Sequence, residues 1–123
     1  MKTLVDDKKN SNNKLHYLCS VSDMPEGKSK TFTIRSYDNG TKKKIEIALF
    51  SIEGKFYAIS NRCAHEGGPL SEGVLEGHVV TCPWHGWKYS VIDGKSPHEG
   101  GDSVRSYETK VIGDFVYVNS SSP

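Results

Sequence analysis

The sequence predicts an all-β protein, a small domain built from antiparallel sheets. Apolar residues recur with a period of two in short runs, and no window of a dozen residues carries the 3.6-residue apolar stripe of a helix. Turn dipeptides that contain glycine separate these runs, a pattern typical of small sandwiches and barrels. With 123 residues, the chain is long enough for one domain with a modest core.

The predicted strands follow one another closely along the chain. In order, they are TFTIRSY, KIEIALF, KFYAIS, HVVTC, KYSVI, SYETKVI and FVYV. They are rich in β-branched and aromatic residues. The turn signals between them are Asn39-Gly40, Glu53-Gly54, Asp93-Gly94 and Gly113-Asp114. We expect a single domain over residues 15–119, with loosely held polar ends at 1–14 and 120–123.

Composition and charge limit the classes of partner. A net charge of +1 gives no reason to expect nucleic acid or an anionic membrane, and we interpret the Lys42–Lys44 run as a solvated loop and not as a docking patch. No apolar stretch approaches the roughly 20 residues that span a bilayer. The first residues lack the apolar middle region of a signal peptide, so we expect a cytoplasmic protein. In a reducing compartment the three cysteines are more often ligands or reactive groups than disulfides.

Two short motifs carry the chemistry. Cys63-x-His65 is followed, after sixteen residues, by Cys82-x-x-His85, and both pairs lie between predicted strands, on loops at about 61–70 and 82–88. Two thiolates and two imidazoles suit zinc or an iron–sulfur cluster. The other candidate ligands have no such spacing, and we interpret them as packing or surface residues: Cys19, His16, His78 and His98.

The mixed pairing favours iron over zinc. Zinc ligands usually pair like with like, as C-x₂₋₄-C and H-x₃₋₅-H, whereas each loop here offers one cysteine and one histidine. That arrangement suits a binuclear centre with both cysteines on one iron and both histidines on the other. A zinc-stabilised binding module remains the alternative.

The segment CAHEGGPLSEGVLEGHVVTCPWHGWKYSVIDGK resembles the cluster-binding segment of Rieske-type [2Fe–2S] ferredoxins, including the type found in vertebrate Rieske domain-containing proteins. VSDMPEGKSKTFTI is similar to the opening strands of such domains, and VRSYETKVIGDFVYV to their last two. The resemblance implies three stacked antiparallel sheets and a small subdomain formed by the two loops. It also implies one [2Fe–2S] cluster bound by Cys63, His65, Cys82 and His85, and leaves residues 96–101 as either a third covering loop or an ordinary polar loop.

Four positions distinguish branches within this family. Where the respiratory and photosynthetic branch has a disulfide between the loops, this chain has Gly68 and Trp84, so we expect no disulfide. Trp87 stands where that branch usually has a serine bonded to a cluster sulfide, and Tyr89 matches a tyrosine often found near a cysteine sulfur. A sulfide that lacks a donor is harder to reduce, so we expect a potential toward the low end of the roughly −150 to +300 mV Rieske range.

The resemblance implies a monomeric electron carrier that docks transiently, at its histidine tip, with a reductase and an acceptor such as an oxygenase. Oxygenase activity by this chain alone is disfavoured, because it needs a mononuclear iron with two histidines and a carboxylate in a larger domain. A redox sensor that changes partners with cluster state is a further alternative.

Overall fold

The structure is a computed structural model that describes residues 15–38, 40–63, 67–84, 86–97 and 101–120. The strands are β1 (Leu15–Ser20), β2 (Ser29–Asp38), β3 (Thr41–Ile52), β4 (Lys55–Ser60), β5 (Val74–Glu76), β6 (Val79–Thr81), β7 (Lys88–Ser90), β8 (Ser106–Ile112) and β9 (Phe115–Asn119). Two single turns of 3₁₀-helix complete the described elements, η1 (Val21–Asp23) and η2 (Leu70–Glu72). None of the described helices is long and apolar enough to cross a membrane.

All strand pairs are antiparallel, as expected. Six strands join in the order β1-β9-β8-β4-β3-β2, and β5-β6-β7 form a separate three-stranded sheet. The larger sheet is continuous only through a two-pair ladder, in which Ala58 and Ile59 of β4 face Tyr107 and Ser106 of β8. It therefore consists of two three-stranded halves, β1-β9-β8 and β4-β3-β2, and the three sheets of the expected fold are present.

The second half of β3 explains how the three sheets stack. All side chains from Ile47 to Ile52 are buried. Ile47 and Leu49 pack in one core with Val116 and Val118 of β9. Ala48 and Phe50 pack in a second core with residues of the small sheet. Because β3 has a core on each face, its sheet half is the middle layer, and the small sheet with its loops covers one side of it.

The predicted strands match β2 to β4 and β6 to β9, whereas two further strands were not predicted. The hairpin turns fall at Glu53-Gly54 and Gly113-Asp114, whereas Asn39 lies outside the described residues. Neither β1 nor β5 was predicted, because Leu15–Ser20 shows weak alternation and Val74–Glu76 does not belong to a longer β-branched or aromatic run. Within VSDMPEGKSKTFTI, η1 and an irregular segment precede β2, so the opening strand lies earlier than expected.

The structure also corrects the interpretation of the Lys42–Lys44 run. Lys42, Lys43 and Lys44 belong to β3 and pair with residues of β2, so they are part of a sheet and not a loop. Their side chains are exposed because this half of β3 extends beyond both cores. A strand can carry three consecutive lysines where neither of its faces is covered.

Candidate metal centre

The two cysteine loops come from different sheets, the first from the middle layer and the second from the small sheet. The first follows β4 and leads into η2; the second is the connection between β6 and β7. Val80 of β6 pairs with Tyr89 of β7, which sets the register of the second loop. An isolated bridge between Arg62 and Pro69 closes the base of the first. Both loops are thus anchored on antiparallel strand pairs.

The same pair of backbone hydrogen bonds closes each loop. The amide of Cys63 donates to the carbonyl of Gly68 (2.8 Å), and the amide of Gly67 donates to the carbonyl of Cys63 (2.9 Å). In the second loop Cys82 donates to Trp87 (2.7 Å) and Gly86 to Cys82 (3.1 Å), at the same offsets of five and four residues.

The glycine four residues after each cysteine makes this closure possible. Gly67 and Gly86 both have φ of 77°, a left-handed conformation that glycine adopts at little cost. The shared Cys-x₃-Gly spacing is visible in the sequence as CAHEG and CPWHG. The loops are therefore two copies of one turn, although their histidines stand at different offsets from the cysteine.

The turns bury both thiols. Cys63 is 3% exposed and Cys82 is 2% exposed, and both belong to the core that contains Tyr89. The Tyr89 hydroxyl lies 3.2 Å from Cys63 Sγ and is fully buried, which confirms the expected contact of this tyrosine with a cysteine sulfur. A phenol O–H near a thiolate can donate to it and stabilise its negative charge.

Gly68 is the point at which the two loops meet. A Cβ atom at this position would lie 2.8 Å from Cys82 Sγ and 2.9 Å from Trp84 Cγ. Glycine therefore lets the first loop pass directly over the sulfur of the second. None of the three cysteines forms a disulfide. Where the other branch joins its loops covalently, this chain has close packing of Gly68 against Trp84.

Asn61 supports the first loop, and the sequence analysis did not identify it. It is buried, its amide donates to the carbonyl of Glu46 (3.0 Å), and its own carbonyl accepts from Leu70 (2.7 Å). Its side-chain Oδ1 accepts from the amide of Ser71 (2.8 Å), and the Ser71 hydroxyl bonds to that of Thr31. Asn61 thus ties the start of the loop to η2 and β3. Its only sequence signal is an Asn directly after a strand.

The structure describes two of the four predicted ligands. It brings the Cys63 and Cys82 loops together, whereas His65 and His85 lie outside the described residues. Within the described part of the chain, no three His, Cys, Asp or Glu residues form a further metal-binding group. Of the segment 96–101, His98 and its two following residues also lie outside the description, so the covering loop stays a prediction.

Of the four residues interpreted as packing or surface, three have such roles, and His98 lies outside the described residues. His16 Nε2 lies 3.0 Å from the Ser120 hydroxyl at the β1–β9 edge. The His78 ring packs edge-on against Tyr57, with ring centroids 5.5 Å apart. Cys19 is buried in the other core, and burial raises the pKa of its thiol.

The described residues fit a sulfur-ligated metal group. Two buried thiols come from adjacent preformed turns, one has a buried phenol as partner, and no Cβ intervenes at Gly68. Two thiolates would balance the +2 charge of an oxidised [2Fe–2S] core, leaving a site near neutrality that suits burial. Fold and site together define a small β protein with a metal centre held between two loops.

A sequence model of the Rieske [2Fe-2S] domain matches residues 14–108. The chain belongs to this family, and its cofactor is one [2Fe–2S] cluster. It is 32% identical over 105 residues to the 3-phenylpropionate/cinnamic acid dioxygenase ferredoxin subunit of Escherichia coli K12, covering 84% of this chain and 91% of that protein. It is also 32% identical over 94 residues to human apoptosis-inducing factor 3, of which it spans only 16%.

Solved structures agree with this assignment. A chain in the complex of reduced oxygenase and oxidised ferredoxin of carbazole 1,9a-dioxygenase aligns with a TM-score of 0.73 at 28% identity, covering 89% of this chain and 96% of that one. The ferredoxin of carbazole 1,9a-dioxygenase from Nocardioides aromaticivorans IC177 aligns with a TM-score of 0.72 at 24% identity, which supports the fold. The predicted all-β Rieske fold is confirmed.

Proposed function

We propose that this chain is a one-electron carrier, a Rieske ferredoxin that acts between a reductase and an acceptor such as an oxygenase. The pair of matching turns that buries Cys63 and Cys82 in one core carries the proposal. The match to a dioxygenase ferredoxin subunit supports it, because 91% of that protein is covered by this one domain. When bound, the cluster supplies reversible one-electron chemistry.

We assign the ligands as Cys63, His65, Cys82 and His85. The turns hold both cysteine thiols in buried positions, which supports their assignment, and in the sequence each histidine falls between the cysteine and the glycine of its loop. Tyr89 donates to Cys63 Sγ and stabilises negative charge on the sulfur side of the site. We place the transient docking of partners, and the entry and exit of the electron, at the histidine side of the site.

The proposal also covers the domain bounds, the oligomeric state, the compartment and the reduction potential. The domain extends over residues 15–119, and the carrier acts as a monomer without catalysing substrate chemistry itself. The thiols outside any disulfide support a reducing compartment such as the cytoplasm. We also propose a potential toward the low end of the roughly −150 to +300 mV range, because Trp87 has no hydroxyl to offer a cluster sulfide.

The proposal is tested on the purified holo-protein. Iron and sulfide should each be present at two per chain, and dithionite reduction should give an EPR signal of low average g, as mixed Cys/His ligation requires. Replacing Cys63 or Cys82 by Ser, or His65 or His85 by Ala, should abolish the signal. The matched control is Cys19→Ser, a buried cysteine outside the loops, which should keep it.

The rate of electron transfer distinguishes an electron carrier from a redox sensor. The reduced holo-protein should pass one electron per chain to cytochrome c at a rate within the usual enzymatic turnover range, roughly 1 to 10³ s⁻¹. Electron transfer over minutes would instead favour the sensor. Stoichiometric zinc in a colourless, EPR-silent protein would overturn the proposal in favour of a zinc-stabilised module.

A further inference from the structure

A groove rich in positive charge lies beside the first cysteine loop. It has a volume of about 250 Å³, and Lys43, Lys44, Arg62 and Arg105 line it together with a single carboxylate, Glu46. We call these residues, with Tyr107, the basic groove. Lys43 and Lys44 are neighbours on β3 and point to opposite faces, so Arg62, Arg105 and one of these lysines oppose Glu46 in the groove. Positive charge is still in excess here, although the whole chain carries only +1. The rest of the protein is therefore slightly acidic, and the positive charge is locally concentrated.

The fold holds these charges in place. Arg105 Cζ lies 5.1 Å from the centre of the Tyr107 ring, a cation–π distance, and its Nη2 donates to the carbonyl of Ser120 at 3.4 Å. Arg62 Nε lies 3.5 Å from Glu46 Oε1. Lys44 extends from a paired position of β3. The cations are thus presented by three different strands or strand ends around one depression.

The basic groove is continuous with the metal centre. Arg62 directly precedes Cys63, and a Cβ placed on Gly67 would lie 4.0 Å from Arg62 Nη1. The next residue, Gly68, touches Trp84, whose side chain is 57% exposed. A partner seated in the groove would therefore contact the loop that carries the cluster. Exposed Arg and Trp side chains are also the types that most often dominate protein interfaces.

We propose that the basic groove is a docking site for the acidic surface of an electron-transfer partner. The proposal rests on the carrier function and adds the partner's chemistry. The groove is smaller than the roughly 300–1,000 Å³ of most small-molecule sites, and it suits one or two carboxylate side chains of a protein surface. Complementary charge beside the cluster loop speeds encounter and orients the partner for electron transfer.

The test measures binding of a fluorescein-labelled oligoglutamate peptide to the holo-protein by fluorescence anisotropy. Binding should weaken when ionic strength rises from about 0.01 to about 0.1 M, where the screening length falls from about 30 to about 10 Å. The variant Lys44→Gln/Arg105→Gln should weaken binding by about threefold to tenfold. Both residues lie apart from the proposed ligands, so the cluster's EPR signal should stay unchanged.

The matched control is Lys55→Gln/Lys110→Gln, which removes the same charge away from the groove. Lys55 begins β4 and pairs with Ile52 at the far end of β3, and Lys110 of β8 pairs with Tyr117 of β9. This control should bind as the wild type does. Equal weakening in both variants would show only a general charge effect and overturn the proposal. Inorganic phosphate should not displace the peptide when both supply the same concentration of negative charge. Displacement would show a site for small anions and overturn the docking proposal.

A kinetic measurement connects binding to electron transfer. The reduced holo-protein should lose its electron to the ferricyanide trianion with a rate that falls with salt, and the groove variant should slow this reaction more than the control does. Oxidation by the hexaammineruthenium(III) trication should show the opposite salt dependence. If neither reagent oxidises the protein, the carrier function fails. If both reagents oxidise the protein at rates that do not depend on the groove charges, the carrier function stands and only the docking proposal is overturned.

Discussion

Gly68→Ala should disrupt the metal centre, because the added methyl group would press on the second cysteine loop. The new Cβ would lie 2.8 Å from Cys82 Sγ and 2.9 Å from Trp84 Cγ. The φ of Gly68 is not in the left-handed region, so alanine suits the backbone and the effect is a matter of contact alone.

The size of the effect follows from these distances. Non-bonded carbon atoms prefer separations of about 3.5–4.0 Å, so the added methyl is roughly 0.7–1.2 Å too close to the sulfur. Metal–ligand distances tolerate only about 0.2 Å. Overpacking of this kind costs typically about 1–3 kcal/mol. Cys82 or the whole first loop must therefore move farther than a bound cluster allows.

The assay compares iron content and the EPR signal with thermal unfolding. We expect Gly68→Ala to lose most of its iron, and its reduced signal to shift or disappear. Gly113→Ala is the control, since its methyl meets no atom within 4 Å and lies in the β8–β9 turn. It should change stability alone, with iron retained.

A second variant identifies which contact matters. Gly68→Ala combined with Trp84→Ala removes the indole but leaves the sulfur contact, so iron loss should persist. Recovery of iron in the double variant would assign the effect to the tryptophan. Full iron content and an unchanged signal in the single variant would refute the inference that the loops meet at this glycine.

Three further predictions address the environment of the loops and the core. Tyr89→Phe should lower the reduction potential, because Cys63 loses a donor; a difference of about 1 kcal/mol between redox states corresponds to roughly 40 mV. Asn61→Ala should destabilise the protein by about 1–3 kcal/mol, since the buried Ser71 amide loses its acceptor, measurable by urea unfolding. Because burial raises the pKa of Cys19 above 9.0, the folded state holds the thiol proton more tightly, and stability should fall as the pH rises beyond about 9.

Each of these has its own control. Tyr117→Phe, on the outer side of β9, should leave the potential unchanged, and a similar change in both variants would argue against the sulfur bond. Asn61→Asp keeps an acceptor and should recover part of the stability lost in the alanine variant; no recovery would assign the loss to packing. The alkaline loss of stability should be smaller in Cys19→Ala, and an unchanged pH slope would exclude the thiol as its source.

The sequence predicted the long strands because they follow simple rules. The runs KIEIALF and FVYV alternate strongly, and Glu53-Gly54 is a turn dipeptide. It missed β5, whose three residues end in a glutamate and, unlike β6 and β7, do not belong to a longer β-branched or aromatic run. It missed β1 because its pairing with β9 links the two ends of the domain. Lys42–Lys44 were misread because charge alone does not distinguish an exposed strand end from a loop.

At the site, the sequence predicted residue types and not their arrangement. Spacing identified Cys63 and Cys82, but their common hydrogen-bond pattern depends on the backbone conformation that Gly67 and Gly86 adopt. The role of Asn61 depends on η2 folding back against it, a tertiary contact that no local pattern records. The basic groove likewise gathers residues from three separate parts of the chain.

In both loops, the backbone hydrogen bonds that hold the turn are distinct from the side chains that would set the reduction potential. Main-chain amides and carbonyls close both loops, at the cysteine and at the residues four and five positions beyond it, so the side chains between them take no part in those hydrogen bonds. A ligand within the turn can then be exchanged without redesigning the scaffold. Replacing His85, one of the proposed ligands, by Cys should make the centre more negative, while the hydrogen bonds of the turn run between Cys82, Gly86 and Trp87. Such a scaffold offers protein engineers an electron carrier whose driving force can be adjusted one residue at a time.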